Sequence, residues 1–234
     1  MRSTPQRRKR GMIGIEAAIV MIAFVIVGAA LAFVALNMGL FATQKTKEVI
    51  TRGLGEASSA LEIDGSVTAY TSDGSSVTIV SFPIKVAPGR QAVDLNVDKT
   101  IIRAVLARNA YENLYEAVLY LNESDRKLYW PNGTSATLSG VASLRIDELA
   151  EAAFSITGVE TPGAVTIIMK NVNEDGVLEY GEKAVVIVKM DSSNALKPYD
   201  KIIIEVRPPE GAPLTVERTI PATLPSSGGT VELY

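Results

Sequence analysis

Between Met12 and Leu36 lie 25 residues, of which only Gly14, Glu16 and Gly28 are not plainly apolar. Wound as a helix, this run extends about 37 Å, more than the roughly 30 Å of a bilayer's hydrocarbon core. Four cations, Arg7, Arg8, Lys9 and Arg10, precede it, followed by Gly11. The helical pattern continues past Asn37: Leu40, Thr43, Lys47, Ile50, Leu54, Ala57 and Leu61 recur at steps of three and four. One helix from about Met12 to Leu61 would be about 75 Å long. A helix of that length cannot bury itself in one small domain. It spans a membrane and projects, or it packs against copies of itself.

Composition narrows what such a chain can do. The sequence of 234 residues has no cysteine and no histidine. Disulfides, zinc thiolate sites and thiol nucleophiles are therefore ruled out, along with the commonest general base near neutral pH. An enzyme is a poor reading on these grounds. Five cations and no acids fall in residues 1–11, so removing them takes the net charge from −3 to −8. An acidic body argues against nucleic acid as a partner. The basic N-terminus fits the cytoplasmic side of a membrane segment.

Three fates are open to the N-terminal segment. It is an uncut anchor, a secretory signal cut after Ala30-Leu31-Ala32, or a signal cut between Gly11 and Met12 that leaves the apolar helix in the mature chain. The stretch Arg8-Lys9-Arg10-Gly11-Met12-Ile13-Gly14-Ile15-Glu16-Ala17-Ala18-Ile19-Val20 resembles the class III signal of type IV pilin-like proteins, and in particular of archaellins, the archaeal flagellins. The resemblance implies that a prepilin-type signal peptidase cuts after Gly11. Met12 then becomes the first residue, Gly14 the third and Glu16 the fifth. A carboxylate in an apolar helix needs a partner. Cleavage supplies one in the new α-amino group, on the same subunit or its neighbour, and the helix dipole favours an acid in the first turn. The plainer reading has Glu16 reaching for the lipid headgroups. Gly28, Ala29, Ala30, Ala32 and Ala35 offer small faces through which such helices approach closely.

Beyond the helix the period changes to two. In VTIVSFPIKV, Val80, Phe82, Ile84 and Val86 alternate with Ser81, Pro83 and Lys85. In KIIIEVR, Ile202, Ile204 and Val206 alternate with Lys201, Ile203, Glu205 and Arg207. In PLTVERTI, Leu214, Val216 and Ile220 share a side with Arg218. These patterns predict half-buried strands, whereas AVTIIMK and KAVVIVKM read as central ones. With turn signals at Asp73-Gly74, Asn132-Gly133 and Asp175-Gly176, the expected body is an antiparallel, immunoglobulin-like β-sandwich and the fold class α+β. DELAEAAFS fits a short helix or a linker. The expected divisions are a cleaved signal at 1–11, a core helix at 12–62 and the sandwich at 63–234. The ending EVRPPEGAPLTVERTIP is similar to the closing strands of archaellins.

Two kinds of local site stand out. In NVNEDGVLEYGE, Asn171, Asn173, Asp175, Gly176, Val177, Leu178, Glu179 and Glu182 occupy positions 1, 3, 5, 6, 7, 8, 9 and 12 of a calcium-loop pattern. The ligands would be Asn171, Asn173, Asp175, the Val177 carbonyl, Glu179 and Glu182, with Asn171 standing where aspartate is usual. The flanks read as strands, so the alternative is a polar hairpin turn. Calcium is the cofactor this loop would take; the chain calls for no other. The sequons Asn122-Glu123-Ser124 and Asn132-Gly133-Thr134 are glycosylation candidates in a surface protein. The cluster Tyr111, Tyr115, Tyr120, Tyr129 and Trp130 suits core packing or a subunit contact better than a ligand platform.

The resemblance implies a structural subunit of the archaellum, polymerising with itself and with sister archaellins into an extracellular filament after a stay in the cell membrane. The archaellum motor and assembly machinery would be its other partners. An adhesion pilin of the same export route is the alternative. From another class comes a monomeric membrane-anchored surface binding protein, which would keep its N-terminus uncut.

Overall fold

The computed structural model describes residues 10–57, 60–122, 127–130, 133–138, 145–169, 173–226 and 228–234. The chain divides into two compact units, Met1–Leu54 and Gly55–Tyr234. Helix α1 runs uninterrupted from Arg10 to Ala57, 48 residues. It ends sooner than the apolar stripe suggests. Leu61, the last position of that stripe, belongs instead to a strand, is 1% exposed and pairs with Val86. Burial in the body overrides helical periodicity there, so the body begins before residue 63.

In the second unit β1 (Leu61–Ile63), β2 (Val67–Thr71) and β3 (Val77–Val86) are followed by β4 (Val93–Asp94), β5 (Ile101–Val105), β6 (Ala110–Tyr111), β7 (Tyr115–Asn122), β8 (Lys127–Tyr129) and β9 (Ser135–Thr137). Helix α2 (Ile146–Thr157) leads to β10 (Gly163–Met169), β11 (Val177–Leu178), β12 (Lys183–Lys189), β13 (Lys201–Arg207), β14 (Leu214–Thr219) and β15 (Gly229–Leu233). Among the described residues the larger sheet has the order β15-β2-β3-β12-β10-β7-β8-β9, with β1 also on β3; the smaller runs β14-β13-β5-β6, and β11 pairs with β4. The sheets are not wholly antiparallel: β10 lies parallel to β7. Parallel neighbours need a long crossover, and the chain between them passes through β8, β9 and α2.

Two apolar clusters hold these layers together. Between the sheets, Val80, Phe82 and Ile84 of β3 and Val186 and Val188 of β12 join the same cluster as Ile102, Ile204, Val206 and Val216. On the far face of the larger sheet, Leu119, Leu121, Leu128, Val165, Ile167 and Ile187 share a second cluster with Leu149, Ala150, Ala153 and Phe154 of α2. A sheet covered on both sides requires apolar residues on both, which explains the unbroken runs of β10 and β12. The smaller sheet is covered on one side, so β13 alternates as its sequence predicts. DELAEAAFS is helical: Asp147 and Glu148 sit in the first turn of α2, and Gly158, at φ 65°, ends the helix by donating its N–H to the Phe154 carbonyl.

The turn at Asp73-Gly74 joins β2 to β3. Asp73 Oδ1 accepts from the Ser75 and Ser76 amides, at 2.9 Å each, while Ser75 Oγ donates to Oδ2 at 2.6 Å. The Ser75 hydroxyl, then the two amides, hold the Asp73 carboxyl well below the usual carboxylate range. A carboxyl whose folded pKa is depressed stabilises the fold above its unfolded pKa and loses that contribution as pH falls. Asp73→Ala is therefore expected to lower the thermal transition at pH 7. The gap to wild type should narrow as pH drops below about 4, where the unfolded carboxyl takes up its proton. Melting curves of both chains from pH 7 to pH 2 check this; a gap independent of pH would refute it.

Candidate functional site

The residues of α1 that the fold leaves uncovered form the largest chemical anomaly of the molecule. Every described side chain from Gly14 to Leu54 is exposed. Met21, Phe24, Val25, Phe33 and Leu36 are 71%, 75%, 70%, 67% and 69% exposed. Met21 to Val27 are seven consecutive apolar residues; at 100° per residue they wrap the whole circumference. A surface helix of a water-soluble domain keeps one apolar stripe, and a helix apolar all round has to be enclosed. Mean hydropathy reaches 3.0 over the most apolar window, and the helix is long enough to cross a membrane.

The chemistry changes along the axis. Beyond Phe41 come Gln44, Lys45, Lys47, Glu48 and Arg52, with Lys45 and Glu48 paired at 2.9 Å one turn apart. Thr43 and Thr46 turn their hydroxyls inward, donating to the carbonyls of Gly39 and Ala42 at 2.8 and 2.9 Å. In the apolar half, Gly28, Ala32 and Ala35 line one face at four- and seven-residue spacing. A Cβ added at Gly14, Gly28 or Gly39 would meet nothing within 4 Å. The subunit's own fold therefore has no need of glycine at these positions.

Gly11, Met12 and Gly14 fall in the first turns of α1. Glu16 lies just beyond, exposed on an apolar helix. Among the described residues no hydrogen bond or ion pair holds its carboxylate. A charge so placed costs most when the helix is enclosed, and a cation beside it relieves that cost.

The calcium-like loop has a definite geometry. Asn173 Nδ2 donates to Glu179 Oε1 at 2.9 Å, which brings positions 3 and 9 together. Asp175 Oδ1 accepts from the Val177 amide at 3.0 Å. Glu182, 7% exposed, accepts from the Glu179 amide at 2.9 Å. The side chain at position 12 is thus committed to closing the turn. No group of three His, Cys, Asp or Glu able to hold a metal forms among the described residues; Asn171 lies outside them. Gly176 has a second reason to be glycine that sequence reading missed. A Cβ there would stand 2.4 Å from Asn96 Oδ1, because the Leu95 amide bonds the Gly176 carbonyl where β4 meets β11. No local signal marks a contact between segments this far apart in sequence.

Of the sequons, Asn122 closes β7 and is half-buried, and Asn132 lies outside the described residues. The aromatic cluster divides. Tyr115 is core, its hydroxyl donating to the Leu95 carbonyl at 2.5 Å, and burial pushes its phenol pKa up. Tyr111 packs against the inter-sheet core and Trp130 against the one beneath α2. Tyr120 and Tyr129 stack on each other.

Known proteins share this arrangement. A family model described as archaeal-type flagellin matches residues 11–218. A probable flagellin of Aeropyrum pernix is 49% identical over 228 residues, 97% of this chain and 99% of the relative. One from Archaeoglobus fulgidus is 32% identical over 226 residues, 94% of each chain. In fold the chain resembles the archaeal flagellum of Methanospirillum hungatei, with a TM-score of 0.50 at 24% identity over 93% of this chain and 98% of that one. It also resembles the crystal structure of archaeal flagellin FlaB1 from Methanocaldococcus jannaschii, with a TM-score of 0.54 at 16% identity over 74% and 95%. The sequence match starts at Gly11, in the first turn of the uncovered helix, and runs almost through the last strand of the smaller sheet, and a relative of nearly equal length shares half its residues: the chain belongs to the archaeal-type flagellin family.

Proposed function

We propose that this chain is a structural subunit of an archaellum filament, in which copies of α1 enclose one another and the β-rich unit forms the outer wall. The observation that carries the reading is the uncovered helix: apolar on every side from Ala17 to Leu36, it demands enclosure by lipid first and by identical helices afterwards. Before assembly the segment holds the subunit in the cell membrane, with the cations Arg7–Arg10 on the cytoplasmic side. A prepilin-type signal peptidase removes residues 1–11. The α-amino group of Met12 then provides the cation for Glu16, and head-to-tail repetition of one surface gives an open helical polymer. The motor and assembly machinery act on the filament, and the subunit does no chemistry of its own.

The reading is tested on filaments sheared from the cells that make the protein. The major subunit should begin at Met12 by N-terminal sequencing and intact mass. A chain that stays in the membrane and begins at residue 1 would favour an anchored binding protein instead. An adhesion pilin would share the Met12 start, and swimming assays on cells lacking the chain separate the two.

Gly28 offers a sharper check. Because the subunit's fold leaves open space around it, Gly28→Leu is expected to leave the melting temperature of the β-rich unit within about 1 °C while reducing filament yield about tenfold or more, as close helix contacts are lost. Filament counts by electron microscopy read the outcome. Normal filaments would place Gly28 outside the helix contacts.

Calcium enters as a stabiliser of the β11–β12 turn, supported by the approach of Asn173 to Glu179. With Glu182 engaged, Asn173, Asp175, Glu179 and the Val177 carbonyl supply the oxygens, and affinity falls in the weak, extracellular range. Millimolar CaCl2 should raise the melting temperature by a few degrees over the same sample in chelator, by mass action on the folded state. An unchanged transition would leave the loop a turn only.

A further inference from the structure

Tyr199 stands in a backbone conformation that its side chain does not favour. The stretch Lys197-Pro198-Tyr199-Asp200 turns the chain into β13, closed by the Asp200 amide donating to the Lys197 carbonyl at 3.0 Å. Proline is second in this turn, and the third residue, Tyr199, has φ 71°. That is the pattern of a type II turn, where the positive φ makes glycine or asparagine the usual third residue. A bulky side chain there is strained. The surroundings hold it in place. The Tyr199 amide donates to the Ile220 carbonyl at 2.9 Å and the Ile220 amide to the Asp200 carbonyl at 2.8 Å. The Lys197 amide donates to Asp200 Oδ2 at 2.8 Å.

No contact within the subunit uses the ring. Tyr199 is 75% exposed and belongs to neither apolar cluster. Among the described residues its side chain has no hydrogen bond and no ring contact. The charge around it is unusual as well. Residues 55–234 hold 15 cations and 24 acids, a net charge of −9. Other cations of this unit are engaged: Lys85 and Lys183 hold Asp64, and Lys201 holds Glu217. Arg108 and Lys197 are exposed, and among the described residues no ion pair or hydrogen bond holds either side chain. Lys197 opens the turn. Arg108 lies in the loop between β5 and β6 and lines a small hollow with Leu196 and Asp200. The pairing of Val105 with Ile203 brings that loop to the same end of the smaller sheet. Two unopposed cations thus flank an exposed, rigidly held ring on an acidic unit.

We propose that the Tyr199 turn is a contact between subunits, in which the ring and the cations Arg108 and Lys197 of one copy meet an acidic surface on the β-rich unit of a second copy. This rests on the reading of the chain as a filament subunit. A second copy is the fitting occupant because the same unit carries the complementary charge elsewhere on its surface. Tyrosine and arginine are also the side chains around which protein interfaces concentrate their binding energy. A ring already fixed by its turn loses little freedom on being covered. A basic patch that meets an acidic one elsewhere on the next copy makes a heterologous contact, the kind that continues into an open polymer.

The experiment uses the full-length chain, as filaments sheared from cells and as subunits dispersed in detergent. Tetranitromethane, read by mass spectrometry of the peptide holding Tyr199, should nitrate that ring readily in dispersed subunits and about tenfold more slowly in filaments, where the partner covers it. This needs no variant to fold. Tyr199→Gly places the usual residue in the turn. It should raise the melting temperature of dispersed subunits by about 1–3 °C, through relief of backbone strain, and reduce filament yield about tenfold through loss of the contact. A fall in that melting temperature would make the ring a structural element of its own subunit and overturn the contact. Normal filament yield from Tyr199→Gly, or equal nitration in the two states, would overturn it too. Each of these failures leaves the filament reading standing. Wild-type cells whose sheared filaments lack this chain would overturn that reading and the contact with it.

Discussion

Water cannot be the final neighbour of α1. From Ala17 to Leu36 its surface is apolar on all sides, and removing such surface from water is worth about 25 cal/mol per Å². That demand is non-directional. It is met equally by acyl chains and by other copies of the helix, so the proposed membrane stage and the polymer stage can share one segment. What the demand cannot supply is register. In the proposed filament, register would come from shape, through the small face of Gly28, Ala32 and Ala35, and from charge, through the carboxylate of Glu16.

The second unit solves a different problem. Its own apolar residues are satisfied internally, in one cluster between the sheets and another beneath α2. Outside, alongside a few exposed apolar side chains such as Tyr180 and Tyr199, Arg103, Glu205 and Arg207 form a chain of ion pairs across the smaller sheet, and Lys85 and Lys183 both hold Asp64. Exposed pairs of this kind add little stability. Carried on the inner strands β3, β5, β12 and β13, they keep those sheet surfaces polar. A subunit built so can present its body to solvent while its helix is withdrawn from it.

Much of this was legible in the sequence because periodicity reports burial directly. The helix showed in 25 residues with a single charge, and β13 and β14 showed in strict alternation. The continuous runs of β10 and β12 marked strands covered on both faces. The rest depended on distant partners. Leu61 continued the helical stripe, yet its place opposite Val86 makes it a strand residue. DELAEAAFS suited a helix or a linker until the far face of the larger sheet gave Phe154 and Leu149 something to cover. The parallel pairing of β7 with β10 had no local mark, and neither did the contact of Asn96 with Gly176. For the site, the residues of the uncovered helix were plain from composition. The calcium-like spacing was equally plain but did not foretell that Glu182 turns back to the Glu179 amide.

The order of strands in the larger sheet sets a timetable for the newborn chain. β3 lies beside β12, where Ile84 meets Ala184, about 100 residues later. β7 waits for β10, and β2 is flanked on its outer side by β15, the final strand. Contacts of such long range form slowly, because loop closure precedes any gain from pairing. The helix emerges first and is complete in itself, hydrogen-bonded within its own turns and ready for lipid. The body, by contrast, cannot assemble the inner strands β3-β12-β10-β7 until β12, ending at Lys189, has been made, and it gains its edge strand β15 later still. In the proposed membrane stage, such a chain would be held by its helix while its body is still being completed.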